Sequence, residues 1–303
     1  MTDVQQLAVL GCGQMGIGIA SVAAIQARIP RIVLVDVSAK QAERGRASLE
    51  EQVRKAAKYR RIEPRLVDSI LDSVHIVHSI EELASAHTPD LVIEAASEDV
   101  DVKKRVFHAL AKHLPLRTLL ASNTSSISIT TLARAAADAY TDPAEAAASA
   151  ARVVGIHFFN PVQVMRLVEV VRALQTSDES VQRATAFAVA CRKRTVLCVD
   201  TPGFIVNRIN IVAMREAIRM AEAKEATYED IDQAMMLGMR HPMGPLRLAD
   251  FVGLDICLHV MESIYEATGE PQYAPPGLLL RMVHAGWLGV KTAKGFYDYR
   301  AKA

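Results

Sequence analysis

Short apolar runs alternate with helical patterns through the first two thirds of the chain: LAVL (7–10), RIVLVD (31–36), HIVH (75–78), DLVIEAA (90–96), TLLAS (118–122), RVVGIHFF (152–159), RLVEVV (166–171) and TVLCVD (195–200). Runs that are apolar throughout, rather than at every second residue, belong to strands covered on both faces. Joined by helices, they predict a doubly wound α/β domain of Rossmann type, with a parallel sheet, over residues 1–200. The connection from 36 to 75 is longer than one crossover helix needs. Its pattern predicts two helices broken near Pro64, which read either as an ornamental insertion or as a helical arm over a bulky ligand. The alanine-rich stretch 133–151, with Pro143 in its middle, predicts a helix end, a turn and a second helical piece, without chemistry.

DTPGF (200–204) marks a boundary, because Pro-Gly punctuates a chain, and the strand patterns stop there. Residues 201–303 predict a smaller, all-helical domain. A long helix is expected in FIVNRINIVAMREAIRMAEAKEA, and a second is opened by Thr227 with Asp230 three residues on. One continuous helix is expected in GPLRLADFVGLDICLHVMESIYEATG, begun by Pro245, and a last one in PGLLLRMVHAG. Their apolar faces are wide, which fits either a subunit interface or a tight core.

The 303 residues are half hydrophobic, enough for two cores. Their 35 basic and 34 acidic side chains nearly cancel, so no basic surplus points to nucleic acid or to an anionic membrane. Cys12, Cys191, Cys198 and Cys257 show no CxxC spacing and read as reduced thiols. No apolar run is long enough to cross a bilayer. The opening residues carry neither a basic leader nor a cleavable apolar core, so a cytoplasmic protein is expected.

LAVLGCGQMGIGIA places Gly11, Gly13 and Gly16 directly after the first strand, in the spacing G-x-G-x-x-G. Gly11 permits the tight turn, Gly13 lets backbone approach a pyrophosphate, and Gly16 lets the helix pack on the strand. Gln14 and Met15 lie within this turn and join the candidate cofactor contacts. Asp36 ends the second strand 20 residues after Gly16, where a carboxylate accepts bonds from an adenine ribose. Its charge repels a 2′-phosphate and favours NAD over NADP. The blander alternative for Asp36 is to cap the next helix.

TLLAS runs into SNTSSIS at the carboxyl end of a strand, where open α/β sheets bind ligands. Ser125, Ser126 or Ser128 is expected to cap the following helix, and another of them to meet substrate. GIHFFNPVQVMRLVEVV holds one imidazole, His157, and one carboxylate, Glu169, among apolar residues, and burying either group alone is costly. If the two runs pair antiparallel about a turn centred on Gln163, His157 faces Glu169. The carboxylate then fixes the ring's orientation and leaves the far nitrogen to act as acid or base. A purely structural pair is the alternative. Asn207 sits on an otherwise apolar helix and is equally suited to capping or to facing a ligand.

The blocks GCGQMGIGIA, ASNTSS, HFFNPV, LVEVV, DTPGFIVNR, HPMGPLRLADFVGLD and KGFYDY, in this order and nearly end to end, resemble the L-3-hydroxyacyl-CoA dehydrogenase family, including its bacterial 3-hydroxybutyryl-CoA form. The resemblance implies that His157 is the general base, that Glu169 orients it, and that Ser125 and Asn207 hold the substrate's oxygen atoms. It implies NAD as cofactor, with Asp36 on the adenine ribose and Glu98, Lys103, Asn160 and Lys291 around the rest. It further implies an acyl-CoA substrate contained by the helical arm, and a homodimer through the helical domain. Three features depart from the family. The stretch between Ser125 and His157 is longer, Ala293 stands where a glycine is usual before Phe-Tyr, and arm positions that meet CoA in relatives carry Gln52 and Tyr59. Rival readings are a dehydrogenase of free 3-hydroxy acids and an NAD-binding protein without turnover.

Overall fold

A computed structural model describes residues 2–300. They form two compact units, one ending at Thr201 and the other beginning at Pro202.

The first unit is built on eight strands: β1 (Gln6–Leu10), β2 (Arg31–Val35), β3 (Val74–Val77), β4 (Leu91–Glu94), β5 (Leu119–Ser122), β6 (Val153–Phe158), β7 (Leu167–Arg172) and β8 (Arg194–Val199). They form one sheet in the order β3-β2-β1-β4-β5-β6-β7-β8. All neighbours run parallel except β6 and β7, which are antiparallel. The sheet is therefore mixed. The connection between β6 and β7 is too short for the crossover that parallel strands require.

Eight helices cover this sheet: α1 (Gln14–Val22), α2 (Ala39–Lys58), α3 (Val67–Asp72), α4 (Ile80–Ala86), α5 (Val100–His113), α6 (Ile129–Ala137), α7 (Pro143–Ala151) and α8 (Asp178–Ala190). The alanine-rich stretch becomes the end of α6, a turn and α7, which starts on Pro143 and is capped by Asp142. The long insertion is α2 followed by a short 3-10 turn at Pro64–Leu66 and then α3. Leu7, Val9, Ile32, Leu34, Leu91, Ile93 and Leu119 are fully buried along the strands, each stabilising the fold by roughly 1.5–3 kcal/mol. This continuous burial explains why the strands read as unbroken apolar runs. β8 closes one edge of the sheet, and there Leu197 and Val199 are exposed.

The second unit contains α9 (Val206–Ala223), α10 (Tyr228–Gly238), α11 (Pro245–Val252), α12 (Leu254–Thr268) and α13 (Gly277–His284) around a core that includes Met214, Ile218, Leu246, Met261 and Leu279. Thr227 caps α10 by accepting the Asp230 N–H at 3.1 Å. The continuous helix expected from 244 to 269 is instead two helices. Gly253 adopts φ 107°, a conformation foreign to helices and open to glycine at little cost, and the chain turns there.

The terminal KGFYDY block serves as a latch. The buried Asp250 accepts the Phe296 and Tyr297 N–H groups at 2.9 Å each and the Tyr299 hydroxyl at 3.1 Å. Asp232 accepts the Tyr297 hydroxyl at 2.7 Å and the Leu246 N–H at 2.8 Å. Ala293 lies at φ 56°, in the left-handed region where glycine is the residue of least strain. No helix among the described residues is long and apolar enough to cross a membrane, and no cluster of three or more candidate metal ligands occurs among them.

Candidate active site

The chain leaves β1 through a turn whose glycines have different physical causes. Gly11 has φ 93°, and a Cβ there would lie 2.6 Å from the Ala95 carbonyl oxygen. At Gly16 a Cβ would lie 1.9 Å from the Gly11 oxygen. The fold itself demands both. At Gly13 a Cβ would meet nothing within 4 Å, so the fold leaves open space beside that backbone. Gly13 is also the N-cap of α1, which has no side-chain cap and no acidic residue in its first turn. The exposed end of α1 therefore presents unpaired N–H groups and a positive dipole end to whatever occupies that space.

Asp36, just past β2, accepts the Cys12 N–H at 2.9 Å and the Ser38 N–H at 3.0 Å. It fastens the glycine turn to the second strand and does not cap α2. Ser38 does, through the Gln41 N–H. Burial, with the Asp36 charge beside it, pushes the Cys12 thiol up to about 12, so this sulfur is no nucleophile at neutral pH. An open glycine, an uncapped helix start and a carboxylate at the second strand's end together fit a dinucleotide. Met15 is half-buried against the core, whereas Gln14 is exposed.

α2 packs closely on this turn. A Cβ at Gly45 would lie 2.8 Å from both the Cys12 Cβ and the Ile17 Cδ1, and the Gln41 amide donates to the Cys12 carbonyl at 2.8 Å. Between the turn, α2 and the connection from β6 to β7 lies a cleft of about 300 Å³, lined among others by Gln14, Arg44, Ser48, Gln52 and Asn160. Gln52 and Gln163 join across it. The first helix of the insertion, α2, is thus one wall of a cleft at the nucleotide end. Tyr59 does not line this cleft and is 61 % exposed.

The loop after β5 is held by three carboxylates. Glu98 Oε1 accepts from the Thr124 hydroxyl, from the Ser125 N–H at 3.0 Å, from the Ser125 hydroxyl at 3.4 Å and from the Ser126 hydroxyl at 3.0 Å. Asp200 accepts the Ser128 hydroxyl at 2.7 Å and the Ile129 and Thr130 N–H groups at 3.0 and 2.7 Å. Ser128 itself caps α6, which leaves Ser125 and Ser126 on the open loop. Glu94, fully buried, accepts the Ser122 hydroxyl at 2.7 Å. Lys103, 1 % exposed, lies 2.6 Å from Glu94 and 3.4 Å from Glu98, so its influence on the open surface passes through Glu98. Burial pushes the Glu98 carboxyl up, but Lys103 and the loop's donors outweigh it and hold the group below the usual carboxylate range.

β6 and β7 pair with His157 opposite Glu169. Both are buried, and His157 Nδ1 lies 2.7 Å from Glu169 Oε2. With Glu169 ionised, Nδ1 carries the proton of that bond and Nε2 is the atom able to gain or lose one. The Asn123 side-chain oxygen accepts the Phe158 N–H at 2.9 Å, tying the serine loop to the strand that bears His157. The buried Lys193 ammonium donates to the Val162 and Met165 carbonyls and secures the turn after Asn160.

In the helical unit, Asn207 is in the first turn of α9. Lys291 forms a two-oxygen ion pair with Asp255, at 2.5 and 2.6 Å. Glu94, Asn123, Lys193 and Asp200 escape the sequence reading. For Glu94 and Asp200 a signal existed, since each is an acid ending an apolar strand run, as Asp36 is.

Residues 6–201 match the family model described as 3-hydroxyacyl-CoA dehydrogenase, NAD binding domain, and residues 203–299 the one described as 3-hydroxyacyl-CoA dehydrogenase, C-terminal domain. The chain is 43 % identical over 301 residues to a Bacillus subtilis protein named "Probable 3-hydroxybutyryl-CoA dehydrogenase", covering 99 % of each. It is 39 % identical over 303 residues to human mitochondrial hydroxyacyl-coenzyme A dehydrogenase, covering 98 % of this chain and 92 % of that one. The crystal structure of the (S)-3-hydroxybutyryl-CoA dehydrogenase from Ralstonia eutropha is similar with a TM-score of 0.88 at 37 % identity, covering 98 % of this chain and 99 % of that one.

Proposed function

This chain belongs to the 3-hydroxyacyl-CoA dehydrogenase family, and from that premise we propose that it oxidises the 3-hydroxyl of an acyl-CoA thioester to the ketone, reversibly and with NAD, using His157 as the base. The observation that most supports this assignment is the buried pair at 2.7 Å between His157 Nδ1 and Glu169 Oε2. It sits on a sheet whose first turn has an open dinucleotide cradle.

The cofactor, when bound, accepts hydride from the alcohol carbon or returns it to the ketone. Backbone at Gly11, Gly13 and Gly16, with Gln14 and Met15, holds its pyrophosphate at the start of α1. Asp36 takes the adenine ribose. Glu98, Lys103, Asn160 and Lys291 are assigned to the remainder, with Lys103 acting through Glu98. His157 Nε2 removes the 3-hydroxyl proton, and Glu169 stabilises the imidazolium that results. Ser125 and Asn207 hold the substrate's oxygens, so that the reacting carbon is presented in one orientation. In reduction the protonated ring returns the proton. The helical unit leaves Ile209, Leu237, Met239 and Phe251 each more than half exposed, which supports pairing of two copies through it. Light scattering at micromolar concentration checks that pairing, and a monomer would overturn it.

NADH consumption with acetoacetyl-CoA tests the activity, with acetoacetate and NADPH in parallel. Turnover of the thioester with NADH is expected. Preference for the free acid would favour a 3-hydroxy acid dehydrogenase, and no turnover with any 3-ketoacyl-CoA would leave an NAD-binding protein.

A further inference from the structure

Three charged side chains lie behind the loop that bears Ser125. Glu94, at the end of β4, is fully buried, and Lys103 on α5 is 1 % exposed. Lys103 Nζ lies 2.6 Å from Glu94 Oε1 and 3.4 Å from Glu98 Oε2. The ammonium is therefore drawn toward the inner carboxylate. This leaves Glu98 Oε1 to gather the donors of Thr124, Ser125 and Ser126. The second oxygen of Glu94 accepts the Ser122 hydroxyl at 2.7 Å, and that hydroxyl accepts the Thr124 N–H at 3.1 Å. One buried carboxylate thus touches the loop by two routes, through Lys103 and Glu98 and through Ser122.

Stability does not account for this arrangement, because a buried ion pair is commonly no better than apolar residues of the same volume. We propose that Glu94 is a positioning residue: it holds Lys103 inward so that Glu98 stays on the loop, and it thereby sets where the Ser125 hydroxyl stands, a role that rests on the assignment of Ser125 to the substrate's oxygen. Without the Glu94 charge, Lys103 faces Glu98 alone among the described residues. Coulomb attraction then draws Glu98 off the loop's donors.

The test compares wild type, Glu94→Gln, Lys103→Met and the double variant, reading Tm and kcat for acetoacetyl-CoA at saturating NADH. Glu94→Gln leaves a buried ammonium short of a counter-charge, so Tm and kcat both fall, kcat by tenfold or more. Adding Lys103→Met removes the ammonium that would draw Glu98 inward, so Tm is restored and kcat, read at a temperature where every variant is folded, returns to within threefold of the Lys103→Met single variant. A double variant whose Tm recovers while its kcat stays as low as that of Glu94→Gln would overturn the proposal.

If Glu94→Gln does not fold, Ser122→Ala carries the test. It removes one hydroxyl and no charge, and is expected to lower kcat at least fivefold; a kcat within twofold of wild type would overturn the proposal. A wild type inactive on every 3-ketoacyl-CoA would sink the enzymatic assignment and this role with it. An active wild type matched by Glu94→Gln would sink the positioning role alone.

Discussion

Glu169→Gln removes one negative charge opposite His157 while keeping the shape and one acceptor oxygen. Glu169 is fully buried and contacts the ring at 2.7 Å, so solvent screens the pair little. A hydrogen bond to a charged group contributes roughly 1.5–3 kcal/mol, and two charges about 4 Å apart at an effective dielectric of 20 attract by roughly 4 kcal/mol. The amide retains a neutral bond, so the imidazolium formed in the transition state loses roughly 2–4 kcal/mol. At about 1.36 kcal/mol per factor of ten, kcat should fall roughly 30- to 1,000-fold. The NADH dissociation constant, read by fluorescence, should stay within about threefold, because the lost interaction exists only once the ring has taken the proton. Tm should hold or rise, since a buried amide costs less than a buried carboxylate. The assay is steady-state NAD reduction with L-3-hydroxybutyryl-CoA, the direction in which the ring takes the proton. A variant with kcat within threefold of wild type would refute the claim that the pair carries catalytic charge.

Other perturbations separate the site's parts. His157→Gln should nearly abolish turnover while NADH still binds in a fluorescence titration, and near-normal rates would remove His157 as the base. Gly13→Ala should weaken NADH binding tenfold or more at unchanged Tm, because a Cβ there meets nothing in the protein. Gly16→Ala should lower Tm sharply, because its Cβ would lie 1.9 Å from the Gly11 oxygen; equal behaviour of the two variants would contradict the assigned cradle. Asp36→Ala should narrow the preference for NADH over NADPH in kcat/KM, and an unchanged ratio would remove Asp36 from the ribose. Burial opposes the charge on Glu98, but Lys103 and the loop hold its carboxyl below the usual 4.5. A carboxyl depressed on folding adds stability that is complete above that value and lost as pH falls through the lower folded one. Acid unfolding followed by near-UV circular dichroism should therefore be less steep below pH 4.5 in Glu98→Gln, and superimposable curves would contradict the assignment.

Much of the fold is local information. The central strands of the first unit are apolar runs because the sheet is covered there on both faces, whereas the edge strand β8 is exposed, and Gly11, Gly16, Ser38, Thr227 and Pro245 mark turns and helix starts by their own local chemistry. Side-chain alternation made the facing of His157 and Glu169 calculable once a turn at Gln163 was assumed. The antiparallel direction that makes the calculation valid was not in the pattern, since an apolar strand reads alike in either direction. Gly253 reads as a position inside a helix for the same kind of reason. A single glycine in a helical pattern is tolerated at a cost of roughly 1 kcal/mol, and only packing around it decides that φ turns positive.

The sequence by itself determined the layers, the glycine turn with Asp36 at the end of the second strand, and which imidazole and carboxylate stand as candidates for a pair, because periodicity and glycine conformation act within a few residues. Tertiary structure alone decided that Glu94, Lys103 and Glu98 converge behind Ser125, that Asp200 grips the start of α6, and that the insertion walls a cleft. Glu94 and Ser122 lie 28 residues apart, Glu98 and Ser125 27, and Asp200 and Ser128 72; the first two pairs meet because the parallel strands β4 and β5 end side by side at one edge. Charge pairing at that edge depends on distances that no local pattern along the chain contains.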